Sequence, residues 1–113
     1  KTESQPMPYY NRELSKYGVY PEDLDQIMSE GQKFKNLTIC GLMTVAPALG
    51  DKGKVRPYFK EMKNLFENAK QKYGSHIRYL SMGMTNDFEV AIEEGANIVR
   101  VGTGIFGPRN YSL

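Results

Sequence analysis

Two glycine-containing turns hold the residues of this sequence that are best suited to bind an anion. Ser81, Gly83 and Thr85 alternate in the first turn, and Gly102 and Thr103 open the second. Each turn follows an apolar segment that reads as a strand. Glycine, serine and threonine at a strand end expose backbone N–H groups and hydroxyls, which can cradle a phosphate. The spacing does not match a Walker loop, and glycine turns usually serve only to reverse the chain, so ordinary turns are the stronger interpretation from these residues alone.

Arg100 is the second feature with chemical potential. It interrupts the apolar run of residues 98–101. A guanidinium in a buried strand requires a partner. Arg100 therefore either meets an anionic or ring-nitrogen ligand inside the fold or lies solvated at a sheet edge.

The composition excludes several classes of site and partner. His76 and Cys40 are the only histidine and cysteine, which excludes an intramolecular disulfide and a cysteine-based zinc site and favours a reduced, cytoplasmic location. A net charge of +2 is too small to predict nucleic-acid binding. No apolar run approaches the ~20 residues that span a bilayer. We expect no metal, nucleic-acid or membrane partner, and one domain over residues 1–113.

Hydrophobic periodicity predicts helices and strands in alternation. A helix is expected from Pro21, with Leu24, Ile27, Met28 and Phe34 forming its apolar stripe. Before the centre of the chain, the other predicted elements are a weak strand at residues 8–11, a strand at 37–42, a long loop from Met43 to Arg56 and a helix ending at Gly74. They are followed by a strand at 77–81, a turn at 81–85, a helix at 87–94, a strand at 96–101 and a final loop with Gly102, Gly104 and Gly107. The helix at 87–94 is expected to be capped by Thr85 or Asn86 and to bury Phe88, Ala91 and Ile92.

This order predicts an α/β fold with parallel strands and right-handed helical crossovers. A small open sheet and half of a (β/α)₈ barrel both fit the pattern. In either case both glycine turns fall at the carboxyl edge of the sheet, where α/β proteins bind ligands.

The motifs around these turns resemble those of the pyridoxal phosphate homeostasis protein family, whose fold is similar to the N-terminal domain of alanine racemase. The match spans roughly residues 10–112 and corresponds to the C-terminal half of the family. The segments that carry it are 14–19 (LSKYGV), 21–24 (PEDL), 40–47 (CGLMTVAP), 59–62 (FKEM), 80–92 (LSMGMTNDFEVAI) and 99–109 (VRVGTGIFGPR).

The resemblance implies a TIM-type (β/α)₈ barrel, of which this chain supplies the C-terminal parallel (β/α) units. It also implies pyridoxal 5′-phosphate as the cofactor and a non-enzymatic role in cofactor homeostasis or delivery. By the same resemblance, one side of the phosphate cradle comes from Ser81, Gly83 and Thr85 and the other from Gly102 and Thr103, while Arg100 faces the pyridine nitrogen and Met43 lies near the pocket with Thr44.

The sequence also departs from the family pattern. No lysine matches the family's cofactor-bearing lysine, which belongs to the half that this chain lacks. Thr85 stands where the family usually has serine, and residues 8–11 match poorly. A racemase-like enzyme and a ligand-free structural fragment remain alternatives. Four parallel strands cannot close a barrel. We therefore expect a homo-oligomer, or association with a separate N-terminal half.

Overall fold

The computed structural model describes residues 18–47 and 51–107. The predicted strand at residues 8–11 lies outside these ranges. The elements, in chain order, are a 3₁₀ turn Pro21–Asp23, α1 Leu24–Gly31, β1 Gly41–Met43, α2 Lys52–Tyr73, β2 Tyr79–Met84, α3 Phe88–Glu93, β3 Ile98–Arg100 and α4 Gly102–Phe106.

The three strands form one parallel sheet in the order β1-β2-β3. The central strand places Ser81 opposite Met43 on one side and opposite Ile98 on the other. Asn97 extends the second pairing, because its side chain accepts the Leu80 N–H and donates to the Arg78 carbonyl, both at 2.8 Å. The predicted α/β fold with a parallel sheet is confirmed.

The core lies between one face of the sheet and helices α2 and α3. Leu80 and Met82 of β2 are fully buried on this face. They belong to the same apolar cluster as Phe59 of α2 and Ala91 of α3. The alternation of side chains along a strand accounts for this arrangement, since residues two apart share a face.

The opposite face of the sheet is open. By alternation and register it carries Met43, Tyr79, Met84 and Ile98, whose side chains are 39–62% exposed. Parallel sheets usually have both faces covered. Within the described part of the chain, therefore, the sheet is covered on one face and does not close into a barrel.

Helix α2 begins earlier than the sequence suggested. The Asp51 carboxylate accepts the Gly53 N–H at 2.8 Å and caps the helix, so the prediction of a loop reaching Arg56 is wrong. Pro57 lies in the second turn, where it leaves one helical carbonyl without its usual donor. Gly74 ends the helix with a φ of +128°, as predicted.

Helix α1 and β1 also differ from their predictions. Only Met28 of the expected α1 stripe is buried, and Ile27 is about half exposed although it lies within the helix. Phe34 is also about half exposed, because the helix ends at Gly31 before Phe34 is reached. The strand predicted at residues 37–42 begins only at Gly41, and Leu37 is 63% exposed. Among the described residues no strand pairs with residues 37–40, and β-propensity alone does not make them a strand.

The last third of the chain requires three further corrections. β2 runs on to Met84, through the turn predicted at residues 81–85, with an irregularity in its pairing to β3. In α3, Ile92 was predicted to be buried but is half exposed, and Val90 is buried instead. Residues 102–106 form the short helix α4 where a loop was expected.

Candidate functional site

The two glycine-containing turns meet at the carboxyl edge of the sheet. The Thr85 hydroxyl oxygen accepts the Gly104 N–H and the Thr103 hydroxyl, each at 2.9 Å. Thr85 follows β2, and the other two residues lie in α4 after β3. Adjacent parallel strands thus bring hydroxyls from two successive βα units together, which is the arrangement needed to hold an anion from two sides.

Thr85 takes this position because Asp87 closes the turn after β2. The Asp87 carboxylate accepts the Met84 N–H at 2.8 Å. Asp87 is also the N-cap residue of α3, but no side chain caps that helix. The prediction that Thr85 or Asn86 caps α3 is therefore wrong. The aspartate three residues after a strand end was the signal for this turn in the sequence.

Gly83 has a packing reason to be glycine. Its φ is +105°, and a Cβ there would lie 2.7 Å from the Ala91 Cβ and 3.0 Å from the Phe88 Cα. The close approach of α3 to β2 therefore depends on the missing side chain. Gly102 differs, because a Cβ there would have no neighbour within 4 Å.

Arg100 ends β3 and is half-buried. Its Nη2 donates to the Thr44 carbonyl at 2.8 Å, which ties the loop after β1 to the last strand. Its Nε is buried and has no hydrogen-bond partner among the described residues. A buried donor without an acceptor costs about 1–3 kcal/mol, so an acceptor from a ligand suits this nitrogen.

Ser81 and Met43 share the open sheet face with Arg100. Ser81 is half-buried in the centre of β2, and Met43 lies opposite it in β1 with 62% of its surface exposed. The structure joins Thr85 and Thr103 by a direct hydrogen bond. Ser81, Met43 and Arg100 are brought together only in that their side chains lie on the same face of the sheet.

Two surface cavities lie away from these residues, beside α1. Their volumes are about 310 and 290 Å³, and both are bordered by Met28 and Tyr73. Next to them, the Asp25 carboxylate accepts Lys72 Nζ and the Tyr73 hydroxyl, both at 2.6 Å. These two hydrogen bonds, with the one from Lys72 the stronger influence, hold the pKa of Asp25 below its ordinary value. Neither cavity is lined by Thr85, Thr103 or Gly104.

The described residues contain neither a helix long and apolar enough to cross a membrane nor a group of three or more His, Cys, Asp or Glu placed to hold a metal ion. The groups that the structure places at the carboxyl edge are hydroxyls, backbone N–H groups and one guanidinium. These groups suit an anion that also carries a hydrogen-bond acceptor.

The family model for the N-terminal domain of alanine racemase matches residues 10–110. A pyridoxal phosphate homeostasis protein of Aquifex aeolicus is 46% identical over 99 residues, which are 88% of this chain and 43% of that protein. PipY of Synechococcus elongatus, solved without pyridoxal phosphate, has a TM-score of 0.75 at 30% identity, covering 87% of this chain and 46% of PipY. PipY with pyridoxal phosphate bound has a TM-score of 0.71 at 31% identity, covering 83% and 45%.

The chain spans less than half the length of the curated relatives that it matches. The match of the family model nevertheless covers all the described elements, including both turns and Arg100. The resemblance inferred from the motifs is confirmed: this chain belongs to the alanine racemase N-terminal domain family, alongside the pyridoxal phosphate homeostasis proteins.

Proposed function

We propose that this chain binds pyridoxal 5′-phosphate and serves in non-enzymatic homeostasis or delivery of that cofactor. The observation that carries the proposal is the convergence of the Thr85 and Thr103 hydroxyls at the sheet edge where Arg100 offers a buried, unpartnered Nε among the described residues. A PipY structure with the cofactor bound, and relatives that carry the homeostasis name, support the same ligand.

The proposed contacts divide the cofactor between its phosphate and its ring. Hydroxyls and backbone N–H groups of the two turns hold the phosphate, and Arg100 meets the pyridine nitrogen. The residues proposed to bind the cofactor are Ser81, Gly83 and Thr85 on one side, Gly102 and Thr103 on the other, Arg100 at the ring, and Met43 beside the pocket.

Arg100 also supports a non-enzymatic role. The bound cofactor supplies an electron-poor ring that can stabilise negative charge on an attached substrate. A guanidinium at the ring nitrogen stays charged at all ordinary pH values and cannot give up its proton, so it keeps that nitrogen unprotonated. An unprotonated ring withdraws electrons less strongly, which suits a carrier better than a racemase. The names of the curated relatives agree with this reading.

Titration of the purified chain with pyridoxal 5′-phosphate, followed by absorbance and equilibrium dialysis, tests the proposal. We expect saturable binding that weakens about tenfold or more for pyridoxal, which lacks the phosphate, since hydrogen bonds to a charged group contribute about 1.5–3 kcal/mol. Thr103→Val should weaken binding similarly. Thr38→Val is the matched control, because Thr38 is exposed and lines the cavity beside α1. Equal affinity for both ligands would refute the phosphate cradle.

We also propose that the open sheet face is covered by a second polypeptide, either another copy of this chain or a separate N-terminal half that completes the barrel. The support is the exposure of Met43, Met84 and Ile98 on a parallel sheet. Light scattering at micromolar concentration should give a dimer or larger species, and a sharp monomer peak would contradict self-association. A single domain over residues 1–113 and a cytoplasmic location stay predictions.

A further inference from the structure

The Thr85 hydroxyl has no acceptor capacity left. A hydroxyl oxygen has two lone pairs. In Thr85 one receives the Gly104 N–H and the other the Thr103 hydroxyl, both at 2.9 Å. Thr85 can therefore interact with a further group only by donating its own proton.

The number of protons in the pair limits what it can offer to an anion. Two hydroxyls carry two protons, and one of these lies between the Thr85 and Thr103 oxygens. Thr103 supplies that shared proton, so the proton of Thr85 is the one left to point outward. While the pair stays closed, an anion receives one hydroxyl donor from the two threonines.

We propose that Thr103 and Thr85 act as a single relay donor to the phosphate group, in which Thr103 donates to Thr85, Thr85 donates to the phosphate, and the Gly104 N–H anchors the Thr85 hydroxyl. This inference rests on the proposed function and specifies how the two turns would share the ligand. In such a chain each hydrogen bond polarises the next, so the outer proton becomes a better donor to a phosphate oxygen than that of an isolated hydroxyl. The two threonines then contribute as a unit.

The surroundings of the pair favour its closed arrangement. Thr85 is half-buried, and its β-branched side chain has restricted rotation about χ1. A Cβ at Gly104 would lie 3.1 Å from the Thr85 Cγ2 and 3.3 Å from its Oγ1. The absence of a side chain at Gly104 therefore lets its N–H approach the Thr85 hydroxyl, and that contact holds the hydroxyl where Thr103 can reach it.

A double-mutant cycle tests the relay. Thr85→Val and Thr103→Val keep the branched shape of the side chain and remove the hydroxyl. The affinities of the unmodified chain, both single variants and the double variant are measured for pyridoxal 5′-phosphate and for inorganic phosphate. The relay predicts that affinity falls about tenfold in each single variant. It predicts the same total loss of about tenfold in the double variant, whereas independent contacts would give about a hundredfold loss.

The outcomes separate the relay from the proposed function. Saturable binding with losses that multiply would overturn the relay and leave cofactor binding intact. Failure of the unmodified chain to bind either probe would overturn the proposed function. Hydrogen exchange of the Gly104 amide in the unliganded chain then decides the relay: faster exchange in Thr85→Val supports its anchor, and unchanged exchange overturns it. Circular dichroism of each variant verifies that the fold is retained.

Discussion

Replacing Gly83 with alanine should destabilise the fold strongly. The new Cβ would lie 2.7 Å from the Ala91 Cβ and 3.0 Å from the Phe88 Cα, closer than ordinary van der Waals contact. The second of these neighbours is backbone, so it cannot move aside as a flexible side chain can. Helix α3 must therefore shift away from β2, or the strand must change its path.

Two costs add in this variant. A residue other than glycine at positive φ costs about 1–2 kcal/mol, and overpacking a well-packed core costs about 1–3 kcal/mol. The expected loss in the free energy of unfolding is thus about 2–5 kcal/mol. For a domain of this size that loss corresponds to a fall in Tm of roughly 10–20 °C.

Thermal and urea denaturation followed by circular dichroism measure this effect. Gly102→Ala is the matched control within the same candidate site, because its Cβ meets no atom within 4 Å and its φ is not positive. The control should change stability by about 0.5 kcal/mol or less, or raise it slightly, since alanine is the better helix former. If Gly83→Ala were as stable as Gly102→Ala, the packing explanation for Gly83 would be refuted.

Two further predictions concern groups outside the candidate cofactor contacts. Asn97→Ala should lower the free energy of unfolding, measured by urea denaturation, by about 1–3 kcal/mol, because it leaves the buried Leu80 N–H of β2 unpaired. Asn86→Ala is the control and should change that free energy little, since Asn86 lies in an exposed turn. The lowered pKa of Asp25 means that its pairing with Lys72 stabilises the fold above the unfolded pKa of about 4 and that this contribution is lost as pH falls through the folded pKa. The stability difference between the unmodified chain and Asp25→Asn should therefore be present at pH 6 and shrink below pH 4; a difference that grows in acid would contradict this sign.

The sequence predicted the helix–strand alternation well where each element carries its own strong signal. The apolar spacing of α2 and the glycine that ends it, Gly74, are local features, and both appear in the structure. Leu37 shows the opposite case. It belongs to a short apolar run that could be a strand, yet pairing begins at Gly41, because a strand exists only where a neighbouring strand meets it.

The candidate site was predictable in its residue types but not in its contacts. Glycine and hydroxyl residues at two strand ends indicated that Thr85 and Thr103 would lie near each other. Their direct hydrogen bond, and the role of Asp87 in closing the turn, depend on backbone angles that side-chain patterns do not encode. The same holds for Arg100, whose bond to the Thr44 carbonyl joins residues 56 positions apart.

The central position of β2 has a consequence for the order in which the chain folds during synthesis. Once Met84 has emerged from the ribosome, β2 can pair with β1 and pack on α2, but its other edge has no partner until Asn97 and Arg100 have emerged as well. At ribosomal rates of 5–20 residues per second this gap lasts about 1–3 s. An unpaired edge is a template for strands of neighbouring chains. Synthesis that stalls after Met84 has emerged but before Arg100 has done so should therefore expose the edge most prone to aggregate, and pairing with β3 ends this interval.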